Sequence, residues 1–385
     1  KCPICKCQIN PIENVASPLG YRTDYGKAAI KDFDGRFDWL PVASETRIDS
    51  KQTEIKLQEI ASTNLLIGNN EYPEKGVVNT INTNQDNLFS LVKAKKQEGW
   101  YDSEVVKYKT DFDFDEDTRK DFALISSKVT GVLEICIYSN NKDININPLF
   151  NSENETLEKA RLKALKGAIL SWGNLLRKGI TNYLDIETKE LTVDYFVRRE
   201  NESDASVHAG VFMVEQLENG AGYTSFLGKT DNETQREIFI KPLLPKGYIY
   251  ENLTKDSHIK SCDCSCYDCL RDYYNQKYHD MLDWRLGLDL ARISNDDEYL
   301  PNYMENNGYW HDLLKLRLEA ATKQENENIT YEKKDEIYII KSNDIKILLA
   351  HPFWSQQKIN SLLNKYNLKD AKIIYMNDFI QNLKV

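Results

Sequence analysis

No run of about 18 apolar residues occurs in the 385-residue chain, so no segment is suited to cross a membrane as a helix. No secretory leader is visible either. The chain opens at Lys1, inside "KCPICKC", and reads as a piece of a longer cytoplasmic protein. Positive charge is in short supply: 50 Lys and Arg stand against 60 Asp and Glu, a formal charge of −10. That balance argues against a domain whose whole surface neutralises nucleic-acid phosphates, and leaves room only for local basic patches. Cysteine is sparse at eight residues, and a chain of this length buries enough surface to do without disulfides.

The motifs of phosphate chemistry are missing as well. A P-loop places four residues between its glycines, and the curvature this sets aims the loop's N–H groups at the phosphates; "GYTSFLGKT", Gly222 to Thr230, has five. No D-E-x-H box occurs. No carboxylate–lysine or paired His–Lys constellation of a nuclease is found, and His351 in "AHPFW" stands alone. The acidic run "DFDFDED", Asp111 to Asp117, lacks the glycine and distal glutamate of a calcium loop and reads as a solvated loop or edge. The chain is read as having no catalytic centre of its own.

What is present predicts an α+β fold with mixed sheets. Short alternating runs between Phe33 and Tyr108, such as "TEIKLQEI" and "NLFSLV", predict half-buried strands. "KVTGVLEICIYS" has the makeup of a buried strand with Cys136 as a small hydrophobe. A helix follows in "LEKARLKALKGAILSWGNLLRKG", where Leu162, Leu165, Ile169, Trp172 and Leu176 recur at helical spacing. Its Lys159, Arg161, Lys163, Lys166, Arg177 and Lys178 form either a solvated face or a phosphate-facing patch, with Lys163 and Lys166 as its candidate nucleic-acid contacts. "LTVDYFVRRE" and "VHAGVFMVEQL" predict two further strands, the second emptying into "ENGAGY". After a polar linker, the tail from Ile337 reads strand, strand, helix, strand, a small α/β unit.

Four of the cysteines fall within eight residues: Cys262, Cys264, Cys266 and Cys269, spaced C-x-C-x-C-x-x-C. In an extended segment residues two apart point the same way, and residues three apart meet across a helical turn, so four sulfurs can converge. Zn²⁺ takes four thiolates tetrahedrally, and such a closed site is structural because it leaves no position for water or substrate. Disulfides between residues two apart are strained. An iron–sulfur cluster uses the same ligands, and only the spacing speaks against it. Leu282, Leu286, Leu290 and Ile293 stripe a long helix expected to follow the site. His279 is a further ligand candidate, and Cys2, Cys5 and Cys7 supply part of a candidate second metal site.

The segment "CYDCLRDYYNQKYHDMLDWRLGLDL" resembles the signature of the MrfA-type zinc-binding domain, found at the C-terminal end of bacterial DEAD/DEAH-type helicases and in DrmB-like antiphage defence proteins. Cys266, Cys269, Leu270, Arg271, Tyr273, Asn275, Gln276, His279, Leu282, Asp283, Arg285 and Leu286 carry the resemblance. "ENGAGY" is similar to the family's glycine turn, with Glu218 and Asn219 in place of Pro and Gly. The resemblance implies bound Zn²⁺, a helicase motor domain or subunit as partner, and contact with single- or double-stranded DNA in antiphage defence or repair. Arg271, Asn275 and Gln276 are candidates for that contact, or equally for locking a helix to the glycine turn. The expected division is a partial zinc knuckle at 1–10, a β-rich region at 11–120, the zinc-binding domain at 121–295, a helical segment and linker at 296–330, and the α/β unit at 331–385. A protein-assembly module with purely structural zinc is the alternative.

Overall fold

A computed structural model describes residues 12–17, 44–49, 52–70, 76–83, 87–96, 99–102, 113–150, 154–199, 207–305, 308–323, 329–342 and 345–382. Cys2, Cys5 and Cys7 lie outside the described residues. The chain divides into two units, one of residues 8–54 and 73–130, the other including residues 55–72 and 131–385.

The end of "TEIKLQEI" gives a strand of the second unit, whereas in the first unit the strands pair into a single sheet that takes in "NLFSLV". Its strands are β1 (Val15–Ala16), β2 (Ser44–Ile48), β5 (Gly76–Asn82), β6 (Phe89–Ala94), β7 (Trp100–Asp102) and β8 (Phe114–Thr130), in the order β2-β5-β8-β6-β7, with β1 parallel to β8. At 17 residues, β8 is long enough to serve two antiparallel partners besides β1. Its Leu124–Thr130 end pairs with β5 and its Phe114–Phe122 end with β6. The described part of the acidic run thus enters a paired strand.

The second unit holds two sheets around one core. Strands β3 (Gln58–Glu59), β4 (Leu65–Asn69), β9 (Val132–Ile137), β10 (Leu191–Arg199) and β11 (Val207–Glu215) form an antiparallel sheet in the order β10-β11-β9-β4-β3. The two strands expected from "LTVDYFVRRE" and "VHAGVFMVEQL" pair from Leu191↔Glu215 to Arg199↔Val207. "KVTGVLEICIYS", expected as one strand, is cut at Gly131 into the end of β8 and the whole of β9. The cut falls where a side chain has no room: a Cβ on Gly131 would lie 2.3 Å from Thr224 Oγ1 and 2.5 Å from Glu215 Oε1.

Helix α1 (Glu155–Leu184) packs along β10 and β11. Asn154 caps it by accepting from Leu157 N–H, Glu155 and Glu158 suit the positive end of its dipole, and Asp185 ends it in the left-handed region. The expected apolar stripe faces inward, with Leu165, Ile169, Trp172 and Leu176 all buried. Helices α2 (Tyr223–Lys229), α3 (Asn232–Phe239), α4 (Tyr248–Leu253) and α5 (Asp256–Ser261) then lead to the cysteines, and α6 (Trp284–Asn295) and α7 (His311–Thr322) follow them.

The long helix expected after the cysteines is a correction: the 30-residue helix precedes them, and α6 has 12 residues. Two aspartates explain the difference. Asp272 caps a 3₁₀ turn at Tyr273–Tyr278, and Asp283, with extended backbone, starts α6 afresh by accepting from Arg285 N–H. Short acidic side chains satisfy helix-starting N–H groups better than they sit inside a helix, so the pattern breaks at each one.

The C-terminal sheet runs β12 (Ile329–Lys333), β13 (Tyr338–Ser342), β14 (Ile345–Ala350), β15 (Lys372–Tyr375). Antiparallel pairs give way to a parallel β14–β15 pair bridged by α8 (Gln356–Lys365), and α9 (Met376–Asn382) closes the chain. This is the strand, strand, helix, strand order expected of the tail, with β12 and α9 added.

Candidate metal centre

The thiols converge, with a different fourth member from the one expected. His258, Cys262, Cys266 and Cys269 place one ligand atom each within 4.8 Å of one another. Cys262 caps α5 and His258 lies one turn earlier in it, so i,i+4 spacing sets both on one side. Cys266 and Cys269 come from the next turn, where Leu270 and Arg271 N–H groups donate to Cys266 C=O. Cys266 N–H donates to Cys269 Sγ at 3.0 Å.

Sulfur separations are 3.7 Å for Cys262–Cys269 and 3.5 Å for Cys266–Cys269, and Cys266 Sγ lies 3.6 Å from His258 Nε2. A tetrahedron with Zn–S bonds of about 2.3 Å and a Zn–N bond of about 2.0 Å has S–S edges of about 3.8 Å and S–N edges of about 3.5 Å. The donor set and its spacing therefore fit zinc. His258 Nδ1 donates to Leu253 C=O at 2.9 Å, which leaves Nε2, the nitrogen facing the sulfurs, with its lone pair free. Cys262 and Cys269 are both 2% exposed. Hydrogen bonding from Cys262, helped by His258, lowers the pKa of the Cys269 thiol, while the same pairing and burial push that of Cys262 up.

Three thiolates and Zn²⁺ carry a net charge of −1, and two cations stand near. Lys178 of α1 donates to Asp268 C=O at 2.8 Å; burial lowers its pKa while the Cys269 and Cys266 charges oppose that shift. Arg285 of α6 is fully buried and donates to the Tyr309, Asp263 and Cys262 carbonyls. It ties the cysteine loop to the start of α6.

Cys264 is not in the group. Its carbonyl accepts from Trp284 N–H at 3.0 Å, and its half-buried thiol is pushed up by burial and then by the Asp283 carboxylate. The loop between α5 and the Cys266 turn is not the straight strand that alternation assumed, so Cys262 and Cys264 do not share a face. His258 carried a readable signal, the spacing H-x-x-x-C that places two ligands one helical turn apart. His279 is engaged elsewhere: its Nε2 lies 2.8 Å from Asn275 Oδ1 and 3.1 Å from Asp272 C=O.

The expected nucleic-acid contacts divide. Asn275 is buried and bridges Asn174, Leu270 C=O and Asp272 N–H, a lock between α1 and the 3₁₀ turn. Gln276 is exposed, and Arg271 is half-buried with its Nε donating to Ser265. Lys166 lies over the rings of Tyr195 and Tyr278 at 5.7 and 5.6 Å. Lys163 is exposed and within electrostatic reach of Asp378. Arg161 is buried in a paired contact with Glu158 and the Asn147 and Leu149 carbonyls, and Arg177 pairs with Asp272. Most of the basic helix's charge is thus committed to protein.

"ENGAGY" folds around a carboxylate of its own chain, one that the sequence reading did not single out. Buried Glu215, at the end of β11, accepts from the N–H groups of Ala221, Gly222 and Thr224 and from the Thr224 hydroxyl. The turn's donors are filled by Glu215, leaving no cradle for a phosphate. Asn219 and Gly220 both take φ of 70° there, the left-handed region that asparagine tolerates and glycine favours.

Among solved structures, the chain is similar to one described as the crystal structure of the DUF1998 helicase MrfA bound to DNA. Identity is 14%, the similarity covers 66% of this chain and 25% of that one, and the TM-score is 0.31. At that score the likeness carries no argument, and the chain spans about a quarter of that helicase's length. No family model and no curated protein matches the chain.

Proposed function

We propose that the chain is a zinc-stapled accessory module of a superfamily 2 DNA helicase, fused to the motor or working beside it in the cytoplasm. It assists the handling of single-stranded DNA in antiphage defence or repair and contributes no catalytic step. The closed His258–Cys262–Cys266–Cys269 group carries this reading, because two of its members, Cys266 and Cys269, open the segment that resembles the MrfA-type domain. With no open coordination position, the metal would hold the cysteine loop against α1 and α6 and do no chemistry.

The test is purification of the chain with one equivalent of zinc, followed by titration with single-stranded DNA at low salt. Absence of metal, or absence of DNA binding once metal is present, overturns the reading. The alternative, an assembly module that docks other proteins, is favoured by the inward commitment of Arg161, Lys166 and Arg177. It predicts zinc without DNA binding, and co-purification with a motor subunit.

A further inference from the structure

Tyr273 and Tyr267 are the two most exposed large apolar or aromatic side chains among the described residues, at 76% and 69%, and Tyr274 follows at 60%. All three lie within eight residues of one another, beside the metal group. Large rings are rarely left in water to this extent without a use.

The segment that presents them is held rigidly. The metal group fixes its start, and Asp272 accepts from Tyr274 N–H at 2.7 Å and Asn275 N–H at 3.0 Å while pairing with Arg177. Asn275 anchors it to α1 through Asn174 at 3.1 Å. The Tyr273 and Tyr274 rings meet edge-on at 5.5 Å and 89°, so they do not stack on each other, and Tyr267 leans on His279 at 5.8 Å. In the chain between them, Arg271 enters no ion pair with a described residue, and Gln276, two residues after Tyr274, is exposed.

Resting on the proposed role in DNA handling, we propose that Tyr267, Tyr273 and Tyr274 form a base-stacking platform for single-stranded nucleic acid, with Arg271 as its phosphate contact. Rings held open to solvent, with a guanidinium in the same segment that no described carboxylate claims, suit an occupant with flat faces and negative charge. The neighbouring Asp268 is exposed and repels phosphate, so stacking dominates and one or two phosphates are engaged.

The test uses the zinc-loaded chain and a labelled oligothymidylate of about 15 nucleotides carrying one 2-aminopurine. Expected are quenching of the 2-aminopurine and a shallow salt dependence, with a log–log slope of about −0.7 to −1.4. Tyr273→Ala and Tyr267→Ala each weaken binding roughly 5- to 150-fold, while the Phe variants retain it. Arg271→Gln flattens the slope by about 0.7. Because these side chains are exposed, the Ala variants keep their zinc and their melting temperature. Wild-type binding with unchanged affinity in the Ala variants overturns the platform and leaves the accessory role standing. No binding by the wild type at low salt overturns both. Ala variants that bind DNA normally but lose a helicase subunit identify a protein-docking face and also overturn the proposal.

Discussion

At the scale of single residues, His258 takes the ligand position expected of Cys264. Cys264→Ser should retain one equivalent of zinc, whereas Cys266→Ser and His258→Ala should lose it or bind it far more weakly, because structural zinc binding is part of the folding free energy. Metal analysis after gel filtration decides this, and zinc loss in Cys264→Ser would restore the four-cysteine set. Asp283 gives a prediction in pH. It is 1% exposed and its Oδ2 has no partner among the described residues, and burial raises its pKa from the ordinary carboxylate range to about 6. The folded state then binds the proton more tightly than the unfolded state does, and stability is lost as pH rises from about 4 to 6, by at most about 3 kcal/mol. Asp283→Asn keeps an oxygen to cap α6 and cannot ionise. Its denaturation midpoint should gain on the wild type between pH 4.5 and 6.5 and hold that gain above, and parallel curves would contradict the assignment.

At the scale of elements, what the sequence disclosed was periodicity. Alternation announced β10 and β11, helical spacing announced α1, and the order of the tail's elements was legible, because each depends on a burial pattern that repeats within a few residues. The ends of elements were not legible in the same way. Asp272 and Asp283 looked like interior positions of one helix and act as two caps, and Gly131 looked like a strand interior and is a break. The metal's neighbourhood could be read from the crowding of thiols, but the path of the loop chose among them. Glu215 was invisible because three of the donors described on it are backbone N–H groups, which no residue letter reports. Glu215→Ala should strip exchange protection from the amides of Ala221, Gly222 and Thr224 and cost about 2 kcal/mol, since it leaves the buried Thr224 donors unmet. Unchanged hydrogen exchange there would mean that the turn holds itself. Gly167→Ala should be similarly costly, because a Cβ on Gly167 would sit 2.3 Å from Met281 C=O; a melting temperature equal to wild type would show that α1 can shift away.

At the scale of the molecule, zinc removal should act regionally. A chelator is expected to raise hydrogen exchange across α5, the cysteine loop and the start of α6, because Arg285 holds the Cys262 and Asp263 carbonyls of the same loop whose thiols would hold the metal, while β5, β6 and β8 keep their protection. Uniform exposure of both units would show the metal to be a global requirement. One buried acid spans the second unit. Asp289 of α6 accepts from the Tyr299 and Tyr309 hydroxyls, from Trp310 Nε1 at 2.8 Å and from His351 Nε2 at 3.0 Å. His351, alone in the sequence, takes Phe353 N–H on its other nitrogen and so belongs to this junction. A chain trimmed after α6, at the boundary that motif similarity suggests, would leave the Asp289 carboxyl without any of its four donors. Such a fragment should be insoluble however well it binds zinc, so the defining motif is shorter than the smallest piece that can fold.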